Sequence, residues 1–203
     1  MQPRALALAS SMLLLIGSVV AVGPQSVAPD QTKQNTEGLT LTLSTDKEVY
    51  LLGEQIKFTV TLRNVSSSGL WVGNAIMFAD VPGAFALSVL DEQGKRIPVS
   101  TAYFAGASPD FRHQDVFDWI RKTRLVLCSG CFLGMSTSLQ EYASTLNVPG
   151  KYKLQVVYSD IGYKEFQEEG ANAANLKSAR QRAVFPLWSG SVKSNEVWVQ
   201  VAQ

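Results

Sequence analysis

Cys128-Ser129-Gly130-Cys131 is the spacing in this 203-residue chain with the clearest chemical capacity. Two thiols separated by two residues can exchange a disulfide, and two such pairs can hold zinc. The chain has two cysteines in total, so the zinc arrangement has no second pair. Leu125-Val126-Leu127 before the motif and Phe132-Leu133 after it predict a tight hairpin with Ser129-Gly130 at its tip. We read Cys128 and Cys131 as a structural disulfide formed in an oxidising compartment, with free thiols or redox exchange as the alternatives. The closed loop is very short, which places its entropic stabilisation at the low end of the usual range.

His113 is the only imidazole. Asp110 precedes it by three residues, within reach across one helical turn, and Asp115 and Asp118 follow. A serine or Cys128 brought close in space would complete a nucleophilic arrangement, but the chain contains neither a Gly-x-Ser-x-Gly elbow nor a His-Glu-x-x-His helix. A surface histidine is the simpler reading. Glu168-Glu169, Asp80, Asp91 and Glu92 could meet calcium at loop ends, yet they lack the dense Asp/Asn/Gly spacing of a dedicated calcium loop and read as solvated charges. We therefore expect no catalytic residues, no metal and no cofactor, and a protein that is not an enzyme.

The chemistry-bearing residues sit in a chain whose first segment has a distinct purpose. Arg4 is the only charge before Asp30, and Ala5 to Val22 is a run of apolar and small residues around Met12-Leu13-Leu14-Leu15-Ile16. This composition predicts a signal peptide over residues 1–21, cleaved after Ala21; an uncleaved N-terminal membrane anchor is the alternative. Removing those residues leaves 182, with 17 cations and 17 anions. A neutral chain has no electrostatic footprint for nucleic acid. Residues 22–38, rich in Gln, Ser, Thr, Asn and Pro, predict a linker, and residues 39–203 one folded domain. The expected location is periplasmic or secreted.

From Leu39 onward the apolar residues recur with a period of two. Leu39, Leu41 and Leu43 alternate with polar residues, as do Ile56, Phe58, Val60 and Leu62. The pattern returns at Phe85, Leu87 and Val89, at Tyr152, Leu154, Val156 and Tyr158, and at Val197, Val199 and Val201. Turn residues separate these runs: Leu52-Gly53-Glu54, Ser66 to Gly69, Asp91 to Gly94, Pro149-Gly150 and Ser189-Gly190. Short alternating strands without βαβ spacing predict an all-β, antiparallel sandwich of seven or more strands. Two insertions interrupt it. Ser108 as N-cap, Pro109 at the first position and the stripe Phe111, Val116, Phe117 and Ile120 predict a helix near 109–124, closed by Arg121, Lys122 and Arg124. Lys164 to Arg182 reads as either a short helix or a loop.

Three local patterns carry a resemblance. They are Val49-Tyr50-Leu51-Leu52-Gly53-Glu54 before the strand that closes on Arg63-Asn64, Pro149-Gly150-Lys151-Tyr152, and Leu187-Trp188-Ser189-Gly190-Ser191-Val192-Lys193-Ser194-Asn195. Together they resemble the immunoglobulin-like domains of secreted bacterial proteins, including the bacterial proteinase-inhibitor sandwich family. The resemblance implies an immunoglobulin-like sandwich with a structural tyrosine corner at Tyr152, whose hydroxyl would bond back across the preceding turn. Leu154 stands where an antibody domain has its second cysteine, so the antibody core disulfide is absent. The inhibitor branch implies peptidase binding, with no inhibitory residue identifiable.

Trp198 falls on the opposite parity from Val197, Val199 and Val201. It either packs under an insertion such as the 109–124 helix or stands exposed as a carbohydrate platform or protein hot spot. Trp119, on the predicted helix, is the other candidate interaction residue. The function expected is a non-enzymatic binding or accessory module that recognises an extracytoplasmic protein or other ligand. The alternatives are a peptidase inhibitor, and a hydrolase or CxxC oxidoreductase without a readable motif.

Overall fold

Side chains that alternate in the sequence alternate in burial, and this builds the sheets. A computed structural model of the protein describes residues 38–74, 78, 83–100, 111–143, 146 and 148–203. The predicted signal peptide (1–21), the predicted linker (22–38) apart from Gly38, and Asp80, Ser108, Pro109 and Asp110 lie outside the described residues. The described chain is mostly β, with eleven strands in antiparallel sheets.

The first sheet has three strands. Strand β1 (Leu39–Thr45) pairs antiparallel with β3 (Lys57–Asn64), which pairs on its other side with β8 (Phe132–Ser138). The second is larger, in the order β2 (Val49–Leu51), β11 (Val197–Ala202), β9 (Gly150–Asp160), β5 (Ala84–Asp91) and β6 (Arg96–Ile97). Strand β10 (Gly190–Lys193) pairs with the far end of β9. Strands β4 (Leu70–Gly73) and β7 (Arg124–Leu127) form a separate pair. One strand pairing departs from the antiparallel expectation: β2 runs parallel to β11.

Leu41, Leu43, Phe58, Val60 and Leu62 of the small sheet share one core with Leu87, Val89, Leu154, Val156, Val199 and Val201 of the large one. Each such side chain contributes roughly 1.5–3 kcal/mol on burial. The aromatic rings of Phe58, Phe78, Phe85, Tyr158 and Trp188 run through this core, with successive centroids 5.4–6.0 Å apart.

The step from β10 to β11 contains a bulge. Lys193 lies opposite Val157 and Val197 opposite Leu154, so Ser194, Asn195 and Glu196 face only Gln155 and Val156. An extra residue reverses side-chain parity. Val192 and Ser194 are buried before the bulge, Val199 and Val201 after it. Asn195 is thereby turned toward β1, where its amide accepts from the Leu43 N–H and donates to the Leu43 carbonyl, each at 2.9 Å. The bulge ties the edge of the small sheet to the large one.

The predicted 109–124 helix is shorter than expected. Helix α1 spans Val116–Thr123, with Asp115 as N-cap accepting from the Asp118 N–H at 3.0 Å. Residues 111–114 form a turn, and the Phe111 N–H is held by the Glu169 carbonyl, outside any helix. Arg121 and Lys122 occupy the last turn, whereas Arg124 has already left it for β7. The Lys164 to Arg182 stretch contains helices α2 (Tyr163–Glu168) and α3 (Ala173–Arg182). Phe111, Val116, Ile120, Phe166, Leu176, Ala179 and Leu187 form a second, smaller core beneath these helices.

The motif Cys128–Cys131 is a disulfide, and it does not close the hairpin expected of it. Strands β7 and β8 belong to different sheets, so the turn hands the chain from one sheet to the other. Asn64, at the end of β3, fixes this crossing. Its side chain donates to the carbonyls of Ser68 (2.7 Å) and Leu127 (2.8 Å), and its oxygen accepts from the Ser66 N–H and hydroxyl. The Asn64 backbone bonds the Cys131 carbonyl and the Gly130 N–H, both at 2.9 Å. Gly130 has φ +75°, the left-handed conformation a tight turn needs there.

Candidate interaction site

The outer face of the large sheet is built from the residues that alternate with the core. Register places Gln200 beside both Val49 and Lys151, and Trp198 beside Lys153. Glu92, in the turn after β5, follows the Asp91 that pairs with Tyr152, and this brings it against Lys151. Glu48, Val49, Glu92, Lys151, Trp198 and Gln200 line an open groove of about 420 Å³. The Asp91 side chain shapes its rim by accepting from the N–H groups of Gln93 and Lys95.

Trp198 is 48% exposed. The Lys153 ammonium lies 5.8 Å from its ring centroid and pairs with Glu196 at 3.0 Å. The helical insertion does not cover Trp198: helix α1 packs on α3 and β7. Val49, Leu51 and Leu52 are also exposed on the neighbouring β2 edge and its following turn. The arrangement is an aromatic platform with aliphatic neighbours, rimmed by two carboxylates, two ammonium groups and one amide. Such a surface can stack a flat apolar group and hydrogen-bond around its perimeter.

Trp119 is placed differently. It is half-buried and meets Phe111 edge-on, with ring centroids 5.8 Å apart, as part of the second core. The structure does not bring Trp119 and Trp198 together: they sit on different elements and in different clusters. His113 is exposed on the turn before α1, not on the helix that spacing predicted. Among the described residues, no three His, Cys, Asp or Glu side chains converge as metal ligands. The Tyr152 hydroxyl donates to the Val148 carbonyl at 2.7 Å, across the turn that opens β9. Burial raises its pKa, and the nearby Asp91 and Glu92 charges add to the effect.

Comparison with protein-family models and with curated proteins finds no match.

A second polar cluster lies inside the molecule. Arg124 Nε is 3.3 Å from Asp160 Oδ2, and both side chains are almost wholly buried. Asp160 also accepts from the Gly162 N–H at 2.9 Å, and the adjacent Tyr158 hydroxyl accepts from the Gly73 N–H at 2.8 Å. Burial pushes the Asp160 carboxyl above its ordinary value, against the pull of Arg124. Gly73 and Gly83 cross here so closely that a Cβ on Gly73 would lie 2.3 Å from the Gly83 carbonyl oxygen. The pair is packed within the fold and joins β7 to β9 rather than opening into the groove.

Of the residues in and around the groove, Trp198 was legible in the sequence, whereas Val49, Lys151, Lys153 and Gln200 were not. Their signal was the outward parity of β2, β9 and β11, which says which residues share a face once the strands are known to be neighbours.

Proposed function

We propose that this is an exported, non-enzymatic binding module that recognises an extracytoplasmic protein through the Trp198 groove. The observation that carries the reading is the half-exposed indole on a paired strand, sharing its groove with exposed Val49 and rimmed by Lys151, Glu92 and Glu48. An aromatic anchor with aliphatic neighbours and a charged rim is the anatomy of a protein hot spot. A strand holds the platform in place, so little ordering entropy is lost on binding.

Export is supported by the N-terminal apolar segment and by the Cys128–Cys131 disulfide, which persists in oxidising compartments. The scaffold we propose is an immunoglobulin-like sandwich. Supporting it are the shared core of the two sheets and the Tyr152 to Val148 hydrogen bond at the start of β9.

The test compares wild type with Trp198→Ala as baits in affinity capture from the envelope and secreted fractions. A protein retained by wild type and lost from the variant supports the reading. Identical captures from the two baits count against it, and a retained glycan in place of a protein would reassign the groove to carbohydrate.

A further inference from the structure

Sheet edges expose backbone groups, and this protein covers its edges unequally. In an antiparallel ladder, residues alternate between directing their N–H and C=O at one neighbour and at the other. Two bonds set the phase between β3 and β8: the Asn64 N–H to the Cys131 carbonyl, and the Leu139 N–H to the Ile56 carbonyl. Counting inward by twos, Leu133, Met135 and Thr137 direct their backbone groups to Leu62, Val60 and Phe58 of β3. The backbone groups of Phe132, Gly134 and Ser136 therefore point away from the sheet.

The same phase turns Leu39, Leu41 and Leu43 outward on the opposite edge, and there Asn195 occupies both groups of Leu43. On the edge of the large sheet, the Leu51 N–H is occupied by the Glu54 carboxylate at 3.0 Å. The other outer strand of that sheet, β6, is two residues long and carries Arg96. Strand β4 is met by the backbone of Pro186 and Trp188. Among the described residues, nothing gives strand β8 any of these protections. It is seven residues long, Phe-Leu-Gly-Met-Ser-Thr-Ser, without charge or proline. Natural sheets blunt an edge of that kind unless it is used.

We propose that β8 pairs antiparallel with β8 of a second copy of this chain, about a two-fold axis at Gly134. In that register Phe132 faces Ser136 of the second copy and Gly134 faces its own counterpart. All three outward residues are then matched in pairs that exchange both backbone hydrogen bonds. On the inner face Leu133 meets Met135 of the second copy, so an apolar row continues from one small sheet into the other. On the outer face Phe132, 70% exposed in the single chain, lies diagonally across Gly134 of the second copy, where no side chain obstructs it. The absence of charge matters for the choice of partner: an isologous interface brings identical residues together, and an edge without Lys or Glu meets itself without repulsion. The Trp198 groove lies on the other sheet and stays open in this dimer.

Sedimentation of the exported protein at high micromolar concentration reads the proposal directly, with Ser136→Pro and Phe132→Pro as variants. Each proline deletes an outward N–H that bonds nothing in the single chain, a position where strands tolerate it. Wild type is expected to sediment as a dimer with slowed amide exchange at Phe132, Gly134 and Ser136. Either variant should keep its far-UV circular dichroism and weaken the dimer by about 10–100-fold. A monomeric wild type would overturn the proposal, as would a folded proline variant that dimerises undiminished. If both variants unfold, the assigned phase of the edge is wrong and the proposal fails with it.

Discussion

Asn64 and Asp160 occupy positions that strand alternation gives to apolar side chains, and each is fully buried. A buried polar group is tolerated best when its hydrogen bonds are made; Asn64 bonds through both amide atoms, whereas Asp160 accepts from Gly162 through one oxygen and holds the other beside the Arg124 guanidinium as an ion pair. Asn64 satisfies backbone groups on both sides of the sheet crossing. Replacing it with alanine strands the Leu127 carbonyl and should cost about 1–3 kcal/mol in chemical denaturation. A cost near zero would mean that water enters the crossing. Asp160 is the partner of a buried arginine, and removing one member of such a pair costs more than the pair contributes. Asp160→Ala, which removes the oxygens that meet the Gly162 N–H and Arg124 as well as the charge, should destabilise by about 3–5 kcal/mol. Because burial raises the folded-state pKa of Asp160, its contribution to stability is fully present below the unfolded pKa and is lost as pH rises through the folded one. A carboxyl carbon titration by NMR should find its midpoint above the ordinary aspartate value; a midpoint below it would show that Arg124 outweighs burial.

At the scale of elements, the disulfide and the bulge serve related ends: the first fixes the point where the chain crosses between sheets, and the second ties β1 to the large sheet through Asn195. The Cys128–Cys131 loop spans three residues of sequence separation, so Cys128→Ser with Cys131→Ser should cost only about 1–2 kcal/mol while loosening the turn. Hydrogen exchange at Gly130 and Cys131 would register that loosening before the global transition moves. The strands of the core were legible in the sequence because Leu39, Phe58, Leu87, Leu154 and Val199 each sit in a run of period two. The bulge was not read, although its trace is visible: Val192 is even-numbered and Val197, Val199 and Val201 are odd. Helix α1 began late because Asp115 supplies the cap that Ser108 was expected to supply, and three of the four stripe residues, Val116, Phe117 and Ile120, fit either start. The hairpin expectation failed for a physical reason. Apolar residues on both sides of a two-residue turn specify strands but not which neighbours those strands take, and β7 and β8 each have a different partner.

Across the whole molecule, the parity of Trp198 was the sequence signal that pointed to the proposed groove. It predicted a side chain turned away from the core, and the fold decided whether anything covered it. The helical insertion packs elsewhere, on its own small core around Phe111 and Phe166, and among the described residues Trp198 stays half-exposed on the outer face of the large sheet. What could not be read was the set of residues around the indole, because Val49, Lys151 and Glu92 come from three separate elements. Pairing through β8 would place two such grooves on one particle, and two linked sites bind a partner with two epitopes far more tightly than either alone. Trp198→Ala should change stability by no more than an ordinary surface substitution, about 0.5 kcal/mol, since the indole is already half-exposed. The central claim is that this groove is where a partner binds, and the most direct test is paired capture by wild type and Trp198→Ala from the compartment the protein reaches. The account predicts a specific protein present with wild type and absent with the folded variant; the same proteins at the same levels on both baits would contradict it.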